Sequence, residues 1–251
     1  MKLLKIMFVR HGQSTGNLQK QMQGNADFEL TAEGRQQVEK LAAQLIEEGW
    51  QPTHIYTSPV KRAVQTTEVL MAHFLAEEFP TTVSDWIGGE VTAPLDWVAA
   101  SGDRGPIELH YAEEVCEFKN GLFEGLTWAE AKAQYPELCT ALETNLEWIP
   151  IPGAETLIDA RERSRKFIHY LLDRHQNGDR VLVITHSWIL QHLVAELLGC
   201  NRSWRFSSGN TAVFEFWIER ARWHTQDVNR YNTDLWQIRR FNDCRHLSTM
   251  T

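Results

Sequence analysis

Apolar and polar positions alternate along this chain in two rhythms. Residues 3–9 (LLKIMFV) form an apolar run broken only by Lys5 and followed at once by Arg10, His11 and Gly12. That pattern predicts a buried strand delivering its last residues to a sheet edge. Val38, Leu41, Ala42, Leu45 and Ile46 then recur at helical spacing behind Thr31, a suitable N-cap. The stretch HIYTSP (54–59) predicts a short strand, with Ser58 as N-cap and Pro59 opening a helix whose inner face carries Val64, Thr67, Leu70, Met71, Phe74 and Leu75. Arg62 falls in the first turn of that helix.

Further on, Thr127 to Glu130 read as a capping box, and Leu157, Ala160, Ser164, Phe167, Ile168, Leu171 and Leu172 mark another amphipathic helix. RVLVITH (180–186) is a continuous apolar run of the kind found in central parallel strands. It ends at His186, directly before the helical pattern Ile189, Leu190, Leu193, Val194 and Leu197. TAVFEFWI (211–218) and DLWQIRRF (234–241) predict two more strands. Helices alternating with strands imply an α/β sheet with crossover helices. Residues 80–116 break the rhythm with Gly88-Gly89, Ser101-Gly102 and Gly105-Pro106, and are expected to be an irregular, lid-like excursion.

The 251 residues suffice for a sizeable core, and the net charge of −8 disfavours broad attraction to nucleic acid or anionic lipid. Cys116, Cys139, Cys200 and Cys244 are scattered without metal-site spacing, and are expected to be free thiols in a reducing compartment. The N-terminal run has neither the hydrophobic length nor the cleavage site of a signal peptide, and no segment is long enough to span a bilayer. A cytoplasmic location is expected.

Candidate chemistry follows from topology. Strands of a parallel sheet end at one edge, where ligands bind, so Arg10, His11, Arg62 and His186 are expected to be neighbours. Either histidine alone is more often a packing or capping residue. Together with two guanidinium groups and helix N-termini, the pair suits a phosphate monoester: the cations hold phosphoryl oxygens and a neutral imidazole attacks phosphorus.

VRHGQSTGN (9–17) resembles the RHG signature of the histidine phosphatase superfamily, the phosphoglycerate-mutase-like proteins. IYTSPVKRAVQT, EFKNGLFEG, PGAETLIDARER, VLVITHSWI and FNDCRHL resemble the family's later segments in the same order. The resemblance implies a single catalytic domain over residues 1–251, a three-layer α/β/α sandwich with a mostly parallel central sheet. It implies His11 as the nucleophile that becomes phosphohistidine, and Arg10, Arg62 and His186 as phosphoryl ligands. Asn17 matches a further polar phosphoryl contact, while Gln13, Gln23, Gly24 and Ser187 border the substrate. Of the four acids Glu113, Glu114, Glu117 and Glu124, the family's spacing implies Glu117 as the general acid and Glu124 as a structural residue. No metal and no organic cofactor is implied.

Two positions depart from the family pattern: Ser187 stands where many relatives have glycine, and Gly16 where the mutases have tryptophan. In the excursion, Trp86 and Trp97 are available to a substrate's organic part, although packing is the commoner role. Arg161, Arg163, Arg165 and Lys166 are expected to form a solvated helix face.

The reading implied is a histidine acid phosphatase-like phosphoric monoester hydrolase acting on a small phosphorylated metabolite. The alternatives are a phosphomutase or a non-catalytic phospho-ligand binding protein on the same fold. The short interval from Glu117 to His186 favours water as acceptor. Nucleic acid and membrane are not expected as partners, and a homo-oligomer is compatible with the sequence.

Overall fold

The structure is a computed structural model that describes residues 2–75, 107–223 and 228–248. Among these described residues six strands form one sheet: β1 (Leu4–Arg10), β2 (His54–Thr57), β3 (Glu108–Tyr111), β4 (Arg180–Thr185), β5 (Val213–Ile218) and β6 (Trp236–Asp243), in the order β3-β2-β4-β1-β5-β6. The first four are mutually parallel, while β5 and β6 are antiparallel additions at one side.

Alternation along the central strands builds both outer layers. Leu4, Ile6 and Phe8 of β1, with Val181 and Val183 of β4, pack against α6 (Leu157–Arg174) and α7 (Ser187–Leu197). Met7, Val9, Leu182 and Ile184 point the other way, onto α2 (Ala32–Glu47) and α3 (Lys61–Phe74). This is the three-layer α/β/α sandwich. Beside it, α4 (Trp128–Gln134) and α5 (Pro136–Thr144) close over a small cluster of Phe123, Ala131 and Cys139, and α1 (Thr15–Leu18) is a single turn capped by Ser14. Neither α1 nor α5 stood out in the sequence. Among the described residues, no helix is long and apolar enough to cross a membrane.

Thr31 caps α2 and Thr127 forms the capping box of α4, as their spacing predicts. Two expectations need correction. Ser58 is not the N-cap of α3, which starts at Lys61 with Val60 as N-cap; the Ser58 hydroxyl accepts from Val60 N at 3.3 Å and also meets His186 Nε2 at 2.8 Å. The excursion also ends earlier than residue 116: Glu108–Tyr111 pair with β2 as a parallel edge strand, and Glu113–Val115 form one 3₁₀ turn. Residues 76–106, with Trp86 and Trp97, lie outside the described residues.

Behind β1 the backbone approaches α2 closely. A Cβ on Gly12 would lie 2.6 Å from the Gly34 carbonyl oxygen, and a Cβ on Gly34 would collide with the Gln13 carbonyl. Only glycine fits at either position.

Candidate active site

Strand register brings the two histidines together. Arg10 at the end of β1 pairs with Thr185 at the end of β4, so His11 and His186 emerge side by side, with ring centroids 5.1 Å apart. Thr57 at the end of β2 pairs with Ile184, which sets the next residue, Ser58, beside His186; its Oγ lies 2.8 Å from Nε2. Both histidines are buried. Burial and the neighbouring cations, chiefly Arg62, hold each imidazole well below its usual protonation range, so both are neutral near pH 7.

The tautomer of His11 follows from its partners. Its Nδ1 lies 2.7 Å from the Gly12 carbonyl oxygen, which can only accept, so Nδ1 carries the proton. At the other nitrogen, Arg62 Nε donates to Nε2 at 3.2 Å. The Nε2 lone pair therefore points toward the guanidinium, where an anion would sit.

Arg62 is fully buried in the first turn of α3 and donates from every nitrogen: Nε to His11, one terminal nitrogen to Ala26 O at 3.0 Å, the other to Gly24 O at 2.7 Å. Taking such an ion out of water costs several kcal/mol even after relaxation, and unmatched donors would leave that cost uncompensated. Burial pulls the guanidinium down to about 10, so it stays charged at neutral pH. Gly24 presents its carbonyl from a left-handed conformation (φ +48°), against the carboxyl of Glu124, which a Cβ there would strike.

Arg10 donates to Ser208 O at 2.6 Å, while among the described residues neither its buried Nε nor the buried Nδ1 of His186 has a partner. Buried polar atoms are rarely left so. Phosphoryl oxygens would satisfy both.

Glu117 sits across from this group. Its carboxyl accepts from Phe118 N at 2.9 Å, Trp188 N at 3.1 Å and Ile189 N at 3.2 Å, closing the N-terminus of α7 immediately after His186. Arg163 braces the segment from behind. It donates to the carbonyls of Glu114 (2.6 Å), Cys116 (2.8 Å) and Glu117 (3.3 Å), and pairs with Glu155 at 2.6 and 2.9 Å. The expected solvated face of α6 is corrected here, and also at Arg161, which binds Glu196 and the Cys200 carbonyl. A cavity of about 540 Å³ opens beside Glu117, lined by Asn25, Asp27, Pro59, Lys119 and Arg163 among others. Glu113 and Glu114 line it from their exposed turn.

The other sequence candidates serve different partners. Asn17 Oδ1 accepts from Ser14 and from Asn210 Nδ2, and among the described residues no hydrogen bond uses its own Nδ2, which remains as a donor. Gln13 Oε1 accepts from Thr31 Oγ1, so that side chain turns toward α2. Gln23 is buried under Gly16 and accepts from Ser14 Oγ. The Ser187 hydroxyl meets Ser208 Oγ at 2.8 Å. Sequence reasoning missed Ser58, Ser208, Asn210 and Arg163. Ser208 and Asn210 precede β5, and only the antiparallel pairing of β5 with β1 places them beside His11, whose carbonyl accepts from Asn210 Nδ2.

The sequence pattern of the histidine phosphatase superfamily (branch 1) matches residues 6–82 and 97–231. Phosphoglycerate mutase-like protein 4 of Arabidopsis thaliana is 27% identical over 190 residues, 75% of this chain and 69% of that protein. Glucosyl-3-phosphoglycerate phosphatase of Mycolicibacterium vanbaalenii is 26% identical over 205 residues, covering 79% and 76%. The solved structure of Bacillus stearothermophilus YhfR superposes with a TM-score of 0.69 at 22% identity, over 98% of this chain and all of that one. Sequence pattern and fold agree over most of the chain, which belongs to the histidine phosphatase superfamily.

Proposed function

We propose that this chain is a phosphomonoesterase that hydrolyses a small phosphorylated metabolite through a phosphohistidine on His11. The observation that carries this reading is the His11 tautomer: a neutral imidazole with its proton held on Nδ1 and its Nε2 lone pair turned toward a buried guanidinium. In the first step Nε2 bonds to phosphorus and the ester P–O bond breaks. Arg10 and Arg62 offset the charge on the equatorial oxygens, with His186 and Asn17 supplying neutral donors. Glu117 gives its proton to the departing alkoxide. Water then attacks phosphorus from the vacated side, loses a proton to Glu117, and leaves as inorganic phosphate while His11 recovers its lone pair.

Return of the phosphoryl group to a second hydroxyl is the competing reading, favoured by the mutase-like relative. The short interval between Glu117 and His186 supports water as acceptor. Rapid quench with ³²P-labelled substrate tests the mechanism: label stable to base and labile to acid is expected on wild-type protein, and none on His11→Ala. Label on serine or cysteine overturns the reading, as does turnover without any trapped label. Formation of 2-phosphoglycerate from 3-phosphoglycerate with a bisphosphoglycerate primer would make the chain a mutase.

A further inference from the structure

A second group of histidines lies at the opposite edge of the sheet, where β2 and β4 begin. It is roughly 20 Å from His11, one strand of six residues at about 3.3 Å each. His54 opens β2, His175 follows the last turn of α6, and Asp179 precedes β4. The rings of His54 and His175 are 4.4 Å apart, and one ligand atom from each of the three residues lies within 4.8 Å of the others. We propose that His54, His175 and Asp179 form a binding site for a divalent transition-metal ion of the zinc class.

Hydrogen bonds on the far side of each ring assign the ligand atoms. Thr53 Oγ1 lies 2.8 Å from His54 Nδ1, and Tyr56 OH lies 3.0 Å from His175 Nε2. That leaves Nε2 of His54 and Nδ1 of His175 on the carboxylate side; the latter is 3.3 Å from Asp179 Oδ2. Outer hydroxyl partners of this kind fix ring orientation in metal sites. With a metal on Nδ1, the ring proton of His175 sits on Nε2 and is donated to Tyr56. Gln176 N, 3.0 Å from Asp179 Oδ2, aims the carboxylate. Two imidazoles and one carboxylate are a borderline-soft, three-ligand set with a fourth position open to water. Glu108 is 3.5 Å from His54 Nε2 but is shared with His110 and Arg174, which makes it an outer partner. His175 and Asp179 stand four residues apart, but His54 lies far upstream in the chain, so no compact spacing of all three announces the set.

The test uses the full chain, stripped with chelator and dialysed. Zinc is titrated in competition with a chromophoric indicator, and cobalt(II) is followed by its visible absorption. One equivalent of zinc, tetrahedral cobalt bands and a raised Tm are expected. His54→Ala and Asp179→Asn should each weaken binding at least about tenfold and remove the Tm rise, while hydrolysis by both variants stays at the wild-type rate. Both substitutions lie at the rim of the group, and the unchanged rate reports that they fold. Absence of a stoichiometric wild-type site overturns the proposal, leaving the cluster a proton-sharing network. Equal zinc affinity in wild type and both variants overturns it too.

Discussion

The two edges of the sheet hold the same residue type in opposite company. Where the strands end, His11 and His186 stand among Arg10 and Arg62. Where they begin, His54 and His175 stand beside the carboxylates of Glu108 and Asp179, with Arg174 paired to Glu108 behind them. Burial is the largest influence on His11, His186, His54 and His175 and drives each toward the neutral imidazole. Burial thus sets the proton state and the neighbours set the ligand. A neutral imidazole framed by guanidinium groups suits an anion and can attack it; framed by carboxylates, it suits a cation.

Exchanging a histidine at each edge gives the largest contrast. His11→Ala should lower hydrolysis by at least about 10⁴-fold, the scale of removing a group that forms the covalent bond, and His54→Ala should leave it within about twofold. Steady-state phosphate release checks both. Comparable losses would erase the distinction between the edges.

Glu117→Gln sharpens the contrast within the first edge. An alkoxide needs a proton as it leaves, whereas p-nitrophenolate does not, so phosphorylation by alkyl phosphates should slow by about 10²–10⁴-fold and by p-nitrophenyl phosphate far less. Glu124→Gln should show no such dependence. Single-turnover rates with the two leaving groups decide, and equal slowing of both by Glu117→Gln would remove it from the acid role.

Arg163→Gln tests positioning at a distance. Losing the donors to three carbonyls should let the Glu117 segment drift and lower kcat by about tenfold with little change in KM. The alkyl-to-aryl rate ratio should fall in the same direction as for Glu117→Gln, a signature that general destabilisation does not produce.

The smallest expected effect is on stability in acid. His11 and His186 are held neutral in the folded chain but take up protons near pH 6.5 when unfolded. Below that pH the unfolded state binds more protons, so their contribution is intact above about 6.5 and lost as the pH falls. Tm should decline by a few degrees between pH 6.5 and 5, and less steeply in His11→Ala. An identical slope would show that His11 is protonated in the folded protein.

Periodicity revealed the layers well, because the faces of α2, α6 and β4 are dictated by burial alone. Partnerships across the chain were less legible. Ser58 before Pro59 has every local mark of a helix cap and does accept from Val60 N, yet its hydroxyl also meets His186, 128 residues away, which nothing local announces. Arg163 looks like one of four cations on a solvated helix, and nothing local marks it as facing the carbonyls of residues 114–117. The site was visible where a residue type and a strand end coincide, at His11 and His186. It was hidden where backbone carbonyls act, as at Gly24 and Ala26 around Arg62.

The pairing of Arg10 with Thr185 also governs how this chain tolerates insertions and deletions. Each histidine is the next residue beyond a paired strand end, so their separation is set by a hydrogen-bond ladder and not by the length of any connection. Residues can be added or removed between elements without altering that separation. Deleting one residue inside Leu4–Arg10 or Arg180–Thr185 either withdraws a histidine by about 3.3 Å or reverses which side chains face each helical layer. The distance between the two histidines is therefore sensitive to the residue count of these two strands and insensitive to loop length.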